Sequence, residues 1–420
     1  VEFSKTDVTG DKELIGAKLT VLDNENNIID TWTSTEKTHK IEGLRIGKEY
    51  TLKEEIAPEG YVIATSVKFI IDDTNKIQKV NMKDKIVSMS KTDIGGNEVE
   101  GAKIQIIDKD GNIVDEWIST KEEHKIKNLV ENETYTLHEE TAPNGFVKAT
   151  DVTFKVTDEK IDQHIELINK IVEISKEDIS GKEIEGAKLQ ILDADENVID
   201  EWTSGKETHK VTGLEENKTY KLHEELAVGN YVKASDIEFK VTTDKDTQKI
   251  VMVDKLVEIT KTDITNGNEL EGAELEVIDE DGNVIDKWTS AKEPHQVKGL
   301  EEGKIYILKE TTAPYGYEIT EEIKFVVTTD KDTQRVEMKD MPILKNVKVI
   351  KVDSETKETI KDKFIFGIYE DLECTKLIKE VKSDKEVGIA LFENLRYGTY
   401  YIKEIKAPKD YELSNKIVKV

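Results

Sequence analysis

Lysine recurs among core-type residues at the start of five similar stretches of the chain. In the segments VEFSK, VSMSK, VEISK, VEITK and VKVIK, apolar residues stand two and four positions before each lysine. Alternate side chains of a β-strand share one face, so each lysine is expected to point where the apolar residues point. An ammonium group is costly to bury unless it is paired or loses its charge. These lysines are Lys5, Lys91, Lys176, Lys261 and Lys351.

Two further polar residues are predicted to face the same interior. The pattern Tyr-x-(Leu/Ile)-x-Glu alternates a glutamate with core-type residues, and the segments LKETTAP and IKEIKAP set its register four residues before proline. The glutamates are Glu54, Glu139, Glu224, Glu310 and Glu404. The closing segments VNMKD, IELIN, IVMVD and VEMKD end on an Asp or Asn that alternates in the same way. These residues are Asp84, Asn169, Asp254 and Asp340.

Three kinds of chemistry are compatible with a lysine, a glutamate and an Asp or Asn in one apolar interior. The first is a buried salt bridge, which is expensive to desolvate and contributes little stability. The second is a catalytic carboxylate pair that acts on a substrate. The third is a reaction between the lysine and the Asp or Asn. The neutral amide of Asn169 is a poor counter-ion, but its carbonyl can be attacked by an amine, so the pattern favours the third interpretation and leaves the other two open.

The elements that must position these residues are short strands. The lysines are 85 to 90 residues apart, which suits small domains with their own cores better than solenoid units. Each repeat holds short segments rich in β-branched and aromatic residues, separated by turn residues. The sequence therefore predicts an all-β tandem array of five small immunoglobulin-like or prealbumin-like β-sandwich modules with about seven strands each. The predicted modules are residues 1–85, 86–170, 171–255, 256–341 and a divergent 342–420, which is expected to stop before its last acceptor strand.

Composition limits the classes of protein and partner. Cys374 is the only cysteine, so disulfides within the chain are excluded. The net charge of -28 argues against nucleic acid and anionic membranes as partners. No apolar run is long enough to cross a bilayer, and no residue pattern calls for a cofactor or a metal. We expect a monomeric fragment of a longer protein.

Two aromatic residue types also recur once in each of the first four modules. The tryptophans of the WTS or WIS segments are expected to pack as core anchors rather than to bind carbohydrate. The histidines are expected at exposed strand positions. The residues are Trp32, Trp117, Trp202, Trp288, His39, His124, His209 and His295.

The combined motifs resemble a known family of bacterial surface domains. The order K-x-D, G-A-x-(V/I/L/F), Y-x-(L/I)-x-E-x-x-A-P-x-G-Y and a terminal Asp or Asn is similar to the CnaB-type, or SpaA-like, prealbumin-like repeats. The resemblance implies a spontaneous intramolecular isopeptide bond in each complete module, with the lysine as nucleophile, the Asp or Asn as acceptor and the glutamate as promoting acid. The implied pairs are Lys5–Asp84, Lys91–Asn169, Lys176–Asp254 and Lys261–Asp340, with Glu54, Glu139, Glu224 and Glu310 as promoters.

The third and fifth modules depart from this pattern. The third reads LAVGNY, so Val228 replaces the proline, but its three site residues are present. The fifth reads DKFIFGIYE where the others have Gly-Ala, and it has Lys351 and Glu404 without an acceptor. We therefore expect four bonds and one incomplete site.

The resemblance implies a structural role at the surface of a Gram-positive bacterium. Stapled modules with minimal linkers are expected to form an elongated, stiff stalk that bends mostly near Pro342. Such a stalk would be extracellular and anchored to the cell wall, and would hold a separate adhesive head that binds a host matrix protein. Isopeptide formation would be a single self-modification and not enzymatic turnover. The alternative is that the repeats are themselves adhesive modules that bind a host extracellular-matrix protein.

Overall fold

The protein is built entirely from β-strands, as the sequence predicts. The computed structural model describes residues 1–420, in which 34 strands are the only regular elements. No helix is present that has the length and apolarity needed to span a membrane. The first four repeats contain seven strands each and the last contains six.

The strands follow the repeat order of the sequence. The first repeat holds β1 (Glu2–Asp7), β2 (Lys18–Asp23), β3 (Ile28–Thr33), β4 (His39–Lys40), β5 (Glu49–Ile56), β6 (Val67–Ile70) and β7 (Lys79–Asp84). The second holds β8 (Val87–Asp93), β9 (Lys103–Ile107), β10 (Ile113–Ile118), β11 (His124–Lys125), β12 (Thr134–Thr141), β13 (Val152–Lys155) and β14 (Gln163–Asn169). The third holds β15 (Val172–Asp178), β16 (Lys188–Leu192), β17 (Val198–Thr203), β18 (His209–Lys210), β19 (Thr219–Leu226), β20 (Ile237–Lys240) and β21 (Gln248–Asp254).

The last two repeats continue this order with one difference in strand number. The fourth repeat holds β22 (Val257–Asp263), β23 (Glu274–Ile278), β24 (Val284–Thr289), β25 (His295–Gln296), β26 (Ile305–Thr312), β27 (Ile323–Val326) and β28 (Gln334–Asp340). The fifth holds β29 (Leu344–Ile350), β30 (Ile365–Tyr369), β31 (Leu377–Lys382), β32 (Ile389–Arg396), β33 (Tyr401–Lys406) and β34 (Ile417–Lys419).

Each of the first four modules is a sandwich of a three-stranded and a four-stranded sheet. In the first module the orders are β4-β1-β7 and β3-β2-β5-β6, and the next three modules repeat them. Strand β1 pairs antiparallel with β4 and parallel with β7, so the first and last strands of the module are neighbours. The core lies between the two sheets and includes Phe3, Leu19, Leu52 and Met82.

The fifth module has a different small sheet. Strand β29 pairs only with β32 in a two-stranded sheet, and the other sheet has the order β31-β30-β33-β34. No strand lies parallel to β29 in the position that β7 takes beside β1. One edge of β29 is therefore open within residues 342–420.

The contact pattern of the chain separates two compact units. One unit comprises residues 1–226 and 236–253, and the other comprises residues 227–235 and 254–420. The first unit contains the first two modules completely and most of the third. The second unit contains the fourth and fifth modules.

The recurring histidines are less exposed than the sequence predicts. The His39 ring is half-buried and stacks on Trp32 with centroids 4.2 Å apart, and its Nε2 lies 2.7 Å from Asp30 Oδ2. The exposed-strand prediction was wrong because the Trp32 ring covers one face of the imidazole and the Asp30 carboxylate binds its Nε2 edge. The same stack forms between Trp117 and His124, Trp202 and His209, and Trp288 and His295.

Candidate reactive sites

Strand pairing places the lysine and the acceptor of the first module side by side. Lys5 on β1 is level with Met82 on β7, so Asp84 lies two residues farther along the parallel neighbour and on the same face. Glu54 reaches the pair from β5 in the opposite sheet. The Lys5 Nζ contacts Asp84 Oδ1 and lies 2.8 Å from Glu54 Oε1. The three side chains are at most 1% exposed, so the site is closed to solvent.

Burial shifts the acids of this site toward their neutral forms. Desolvation raises the pKa of Asp84 to about 8 and also raises the pKa of Glu54. Glu54 is held by the backbone N–H of Ala64, which donates to its Oε2 at 2.7 Å. An amine attacks a protonated Asp much more readily than a carboxylate. The acid can expel its hydroxyl oxygen as water, whereas a carboxylate would have to expel an oxide ion.

The second module shows how an asparagine fits the same frame. Lys91 Nζ lies 3.3 Å from Glu139 Oε1, and Asn169 donates from Nδ2 to Glu139 Oε2 at 2.9 Å and to the Val147 carbonyl at 2.6 Å. Burial lowers the pKa of Lys91 to about 8, which favours the neutral amine. Glu139 therefore contacts both the Lys91 amine and the Asn169 amide nitrogen.

The fourth module repeats the arrangement of the first. Lys261 Nζ lies 2.8 Å from Glu310 Oε1 and contacts Asp340 Oδ1. Burial raises the pKa of Glu310, and the Thr320 N–H donates to its Oε2 at 2.8 Å. The predicted residues of this module therefore meet in one buried cluster.

The third module brings its lysine and glutamate together in the same way. Lys176 Nζ lies 2.9 Å from Glu224 Oε1, and both side chains are at most 1% exposed. Asp254 is buried at the end of β21, which lies beside β15 in the small sheet. The absence of the proline at Val228 leaves the Lys176–Glu224 contact intact.

The fifth module has two of the three residues. Lys351 contacts Glu404, whose Oε2 also accepts the N–H of Ser414 at 2.8 Å. Asn415, which directly follows Ser414, is exposed. The lysine and the glutamate instead line a cavity of about 720 Å³ beside the open edge of β29.

A second glutamate supports each reactive lysine and was missed by the sequence analysis. The backbone N–H of Lys5 donates to Glu13 Oε2 at 2.9 Å, which anchors the strand at the reactive residue. The signal was present, because a glutamate stands three residues before Gly-Ala in each of the first four modules. The equivalent acceptors for Lys91, Lys176 and Lys261 are Glu98, Glu183 and Glu269.

Comparison with protein families finds one model five times along the chain. The model is described as SpaA, prealbumin-like fold domain, and it matches residues 1–86, 85–171, 170–256, 255–342 and 345–420. No curated protein matches the chain.

Solved structures with a similar fold come from Gram-positive bacteria. The Bacillus anthracis TIE protein is 18% identical, with 78% of this chain and 68% of that chain covered and a TM-score of 0.20. The shaft pilin SpaA from Lactobacillus rhamnosus GG is 13% identical, with 41% and 97% covered and a TM-score of 0.22. BcpA, the major pilin subunit of Bacillus cereus, is 16% identical, with 61% and 99% covered and a TM-score of 0.20.

Proposed function

The chain belongs to the family of SpaA prealbumin-like fold domains, and from that premise we propose that it is a surface stalk stapled by four isopeptide bonds. The bonds join Lys5 to Asp84, Lys91 to Asn169, Lys176 to Asp254 and Lys261 to Asp340. The stalk is extracellular, belongs to a Gram-positive cell surface and holds a separate adhesive head. Its modules act as structural units and not as enzymes.

The observation that carries the proposal is a sealed cluster of an amine, an acid whose pKa burial raises, and an acceptor carbonyl. The Lys5 amine attacks the Asp84 carbonyl carbon, the new C–N bond forms, and the acceptor oxygen leaves as water after it receives the proton released from nitrogen. Glu54 contacts both partners and relays that proton. In the second module the Asn169 nitrogen leaves as ammonia, with Glu139 as the relay.

The same geometry argues against the two other interpretations. A site that served only as an ion pair would need a charged counter-ion, but Asn169 is a neutral amide and burial raises the pKa of Asp84 to about 8. An enzyme site needs access for a substrate, but the reactive side chains of the first module are at most 1% exposed. A reaction inside the module needs no access, because folding itself supplies the proximity.

A stalk gains from a bond at this position in the fold. The proposed bond joins the first and last strands of a module, where tension enters and leaves. The amide then bears the load instead of the hydrogen bonds between strands, and a reducing environment does not cleave it. By analogy with a disulfide that closes a loop of similar length, restriction of the unfolded chain contributes about 4–5 kcal/mol.

Intact mass spectrometry tests the proposal directly. Three losses of water and one of ammonia lower the mass by about 71 Da relative to the sequence. A Lys5→Arg variant should lose one water fewer, which assigns that loss to the first module. An unshifted mass would show that the clusters are ion pairs only.

A further inference from the structure

Four consecutive residues connect each of the first three candidate sites with the following module. In the first module they are residues 62–65, here called the joint segment. The N–H of residue 62 donates to the Lys85 carbonyl at 3.1 Å, and the N–H of residue 63 donates to the Leu129 carbonyl of the second module at 2.8 Å. The N–H of residue 64 donates to Glu54, and the N–H of residue 65 donates to Glu131 of the second module at 2.8 Å. Residue 64, which binds the promoting acid Glu54, therefore lies between two residues, 63 and 65, that are hydrogen-bonded to the second module.

Glu131 is buried for this contact. Its side chain is fully buried, and its Oε2 accepts both the N–H and the hydroxyl of Thr65, at 2.8 and 2.9 Å. Its other oxygen pairs with Lys160 of its own module. Its backbone N–H donates back to the Ile63 carbonyl at 3.0 Å. A carboxylate with all of these partners fixes the joint segment firmly.

The acceptor side of the site is fixed by the next module as well. Lys85 directly follows Asp84 and is fully buried. Its ammonium donates to the carbonyl and the hydroxyl of Thr157 in the second module, at 2.7 and 2.8 Å. Ala64, which binds the promoting acid, and Asp84, the acceptor, are therefore each followed directly by a residue that contacts the second module.

The contact between the second and third modules repeats this arrangement. The Ala149 N–H donates to Glu139 at 2.7 Å, and the Thr150 N–H donates to Glu216 of the third module at 2.9 Å. Lys170, which follows the acceptor Asn169, donates to the Thr242 hydroxyl at 2.6 Å. The glutamate contact recurs between Ser235 and Glu302, and the lysine contact recurs between Lys255 and Thr328.

The fourth module provides an internal contrast. Thr320 still donates to Glu310, but Met341 replaces the lysine after the acceptor, and Ile319 is exposed. Instead, Arg396 of the fifth module donates from Nη1 to Asp263 Oδ2 of the fourth module at 2.5 Å. The promoting acid of the fourth module is therefore not held by a glutamate of its successor.

We propose that Glu131 and Glu216 are positioning residues for bond formation in the module that precedes each of them. Docking of the second module orients Glu54, and docking of the third orients Glu139, so each bond forms fastest once the following module has folded. Lys85 and Lys170 align the acceptor strands in the same way. The inference rests on the proposed isopeptide bonds and adds that their rates are set across module boundaries.

The test follows each bond separately in the full chain. Chains made by cell-free synthesis are held in denaturant, diluted to start folding, quenched at intervals and digested, and each linked peptide is quantified by mass spectrometry. Glu131→Ala should slow the Lys5–Asp84 bond by about tenfold and leave the Lys91–Asn169 and Lys261–Asp340 bonds at their normal rates. Glu216→Ala should slow only the Lys91–Asn169 bond.

Matched variants separate positioning from a folding defect. Glu131→Gln keeps an acceptor for Thr65 and should restore most of the rate, and Glu133→Ala removes an exposed carboxylate of the same loop and should change nothing. If Glu131→Ala also slows the Lys91–Asn169 bond of the second module, the Lys85→Met variant separates the two explanations. This variant changes no residue of the second module and should slow only the Lys5–Asp84 bond. Normal rates for the first bond in Glu131→Ala and Lys85→Met would overturn the inference. A wild-type chain without linked peptides would instead overturn the proposed function.

Discussion

At the scale of the residue, desolvation shifts ordinary side chains toward the neutral forms that amide formation requires. Lysine, aspartate and glutamate would all be charged in water near neutral pH, and no amide would form between them. In the closed core of the first module the pKa of Asp84 rises to about 8, and in the second the pKa of Lys91 falls to about 8. Both shifts favour the neutral pair that the reaction requires.

The two acceptor types should respond to pH in opposite directions. The protonated form of Asp84 is lost as pH rises through about 8, so the first bond should form more slowly above that value. Asn169 does not titrate, whereas Lys91 becomes neutral as pH rises through about 8, so the second bond should form faster. Quantification of both linked peptides from chains folded between pH 6 and about 9.5 measures the two trends together. Parallel trends would contradict these roles for Asp84 and Lys91.

The Glu54→Ala variant tests the promoting acid alone. Removal of the proton relay should slow the Lys5–Asp84 bond by about 10²–10⁴-fold, the range of general acid–base catalysis, while the other bonds form normally. The intact mass should then exceed that of the fully bonded variant by one water. Glu55→Ala, which removes the exposed neighbouring carboxylate, is the control. Normal bond formation in Glu54→Ala would remove this residue from the mechanism.

At the scale of the element, the parallel pairing of first and last strands creates the site. Lys5 on β1 is level with Met82 on the parallel β7, so Asp84 lies two residues farther along on the same face. Strand β5 in the opposite sheet adds Glu54. Neither sheet alone contains all three groups. The site is therefore complete only when both sheets have packed and the last strand has docked.

The fifth module should keep a free lysine for this reason. Strand β29 has no parallel partner, so Lys351 meets Glu404 but no acceptor. After complete unfolding, an amine-reactive acylating reagent should modify Lys351 and leave the four bonded lysines unmodified. Peptide mapping by mass spectrometry distinguishes them, with the exposed Lys68 as a positive control. An unmodified Lys351 would show that it too is bonded.

At the scale of the whole molecule, repetition gives each of the first four modules its own buried lysine and glutamate beside an Asp or Asn. Each proposed bond closes within one module, and only two residues separate β7 from β8. The net charge of -28 opposes association of such a chain with itself or with anionic surfaces. These properties suit a load-bearing spacer.

Pulling on the two ends should separate the modules into two classes. The four stapled modules should extend only by the few residues outside each bond. The fifth should unfold over most of its length and release about 250 Å at roughly 3.3–3.6 Å per residue. Single-molecule force spectroscopy measures these steps, and Lys5→Arg should add one long step from the first module. Five long steps in the unmodified protein would contradict the staples.

The sequence alone determined the fold class, the repeat and which polar side chains lie in the cores. Period-two alternation shows which side chains share a face, and the repeat shows that Lys5, Glu54 and Asp84 recur as a set. That local pattern needs no knowledge of which strands pair. The family that the motifs resemble is also the family to which the chain belongs.

The tertiary structure alone decided which groups meet across strands and across modules. Local alternation cannot reveal that Ala64 holds Glu54, or that Glu131 and Lys85 link two modules, because these contacts join residues distant in the chain. It also placed His39 against Trp32, where the sequence analysis expected an exposed strand position. Contacts of this kind depend on the packing of one sheet or module on another, and strand periodicity carries no information about that packing.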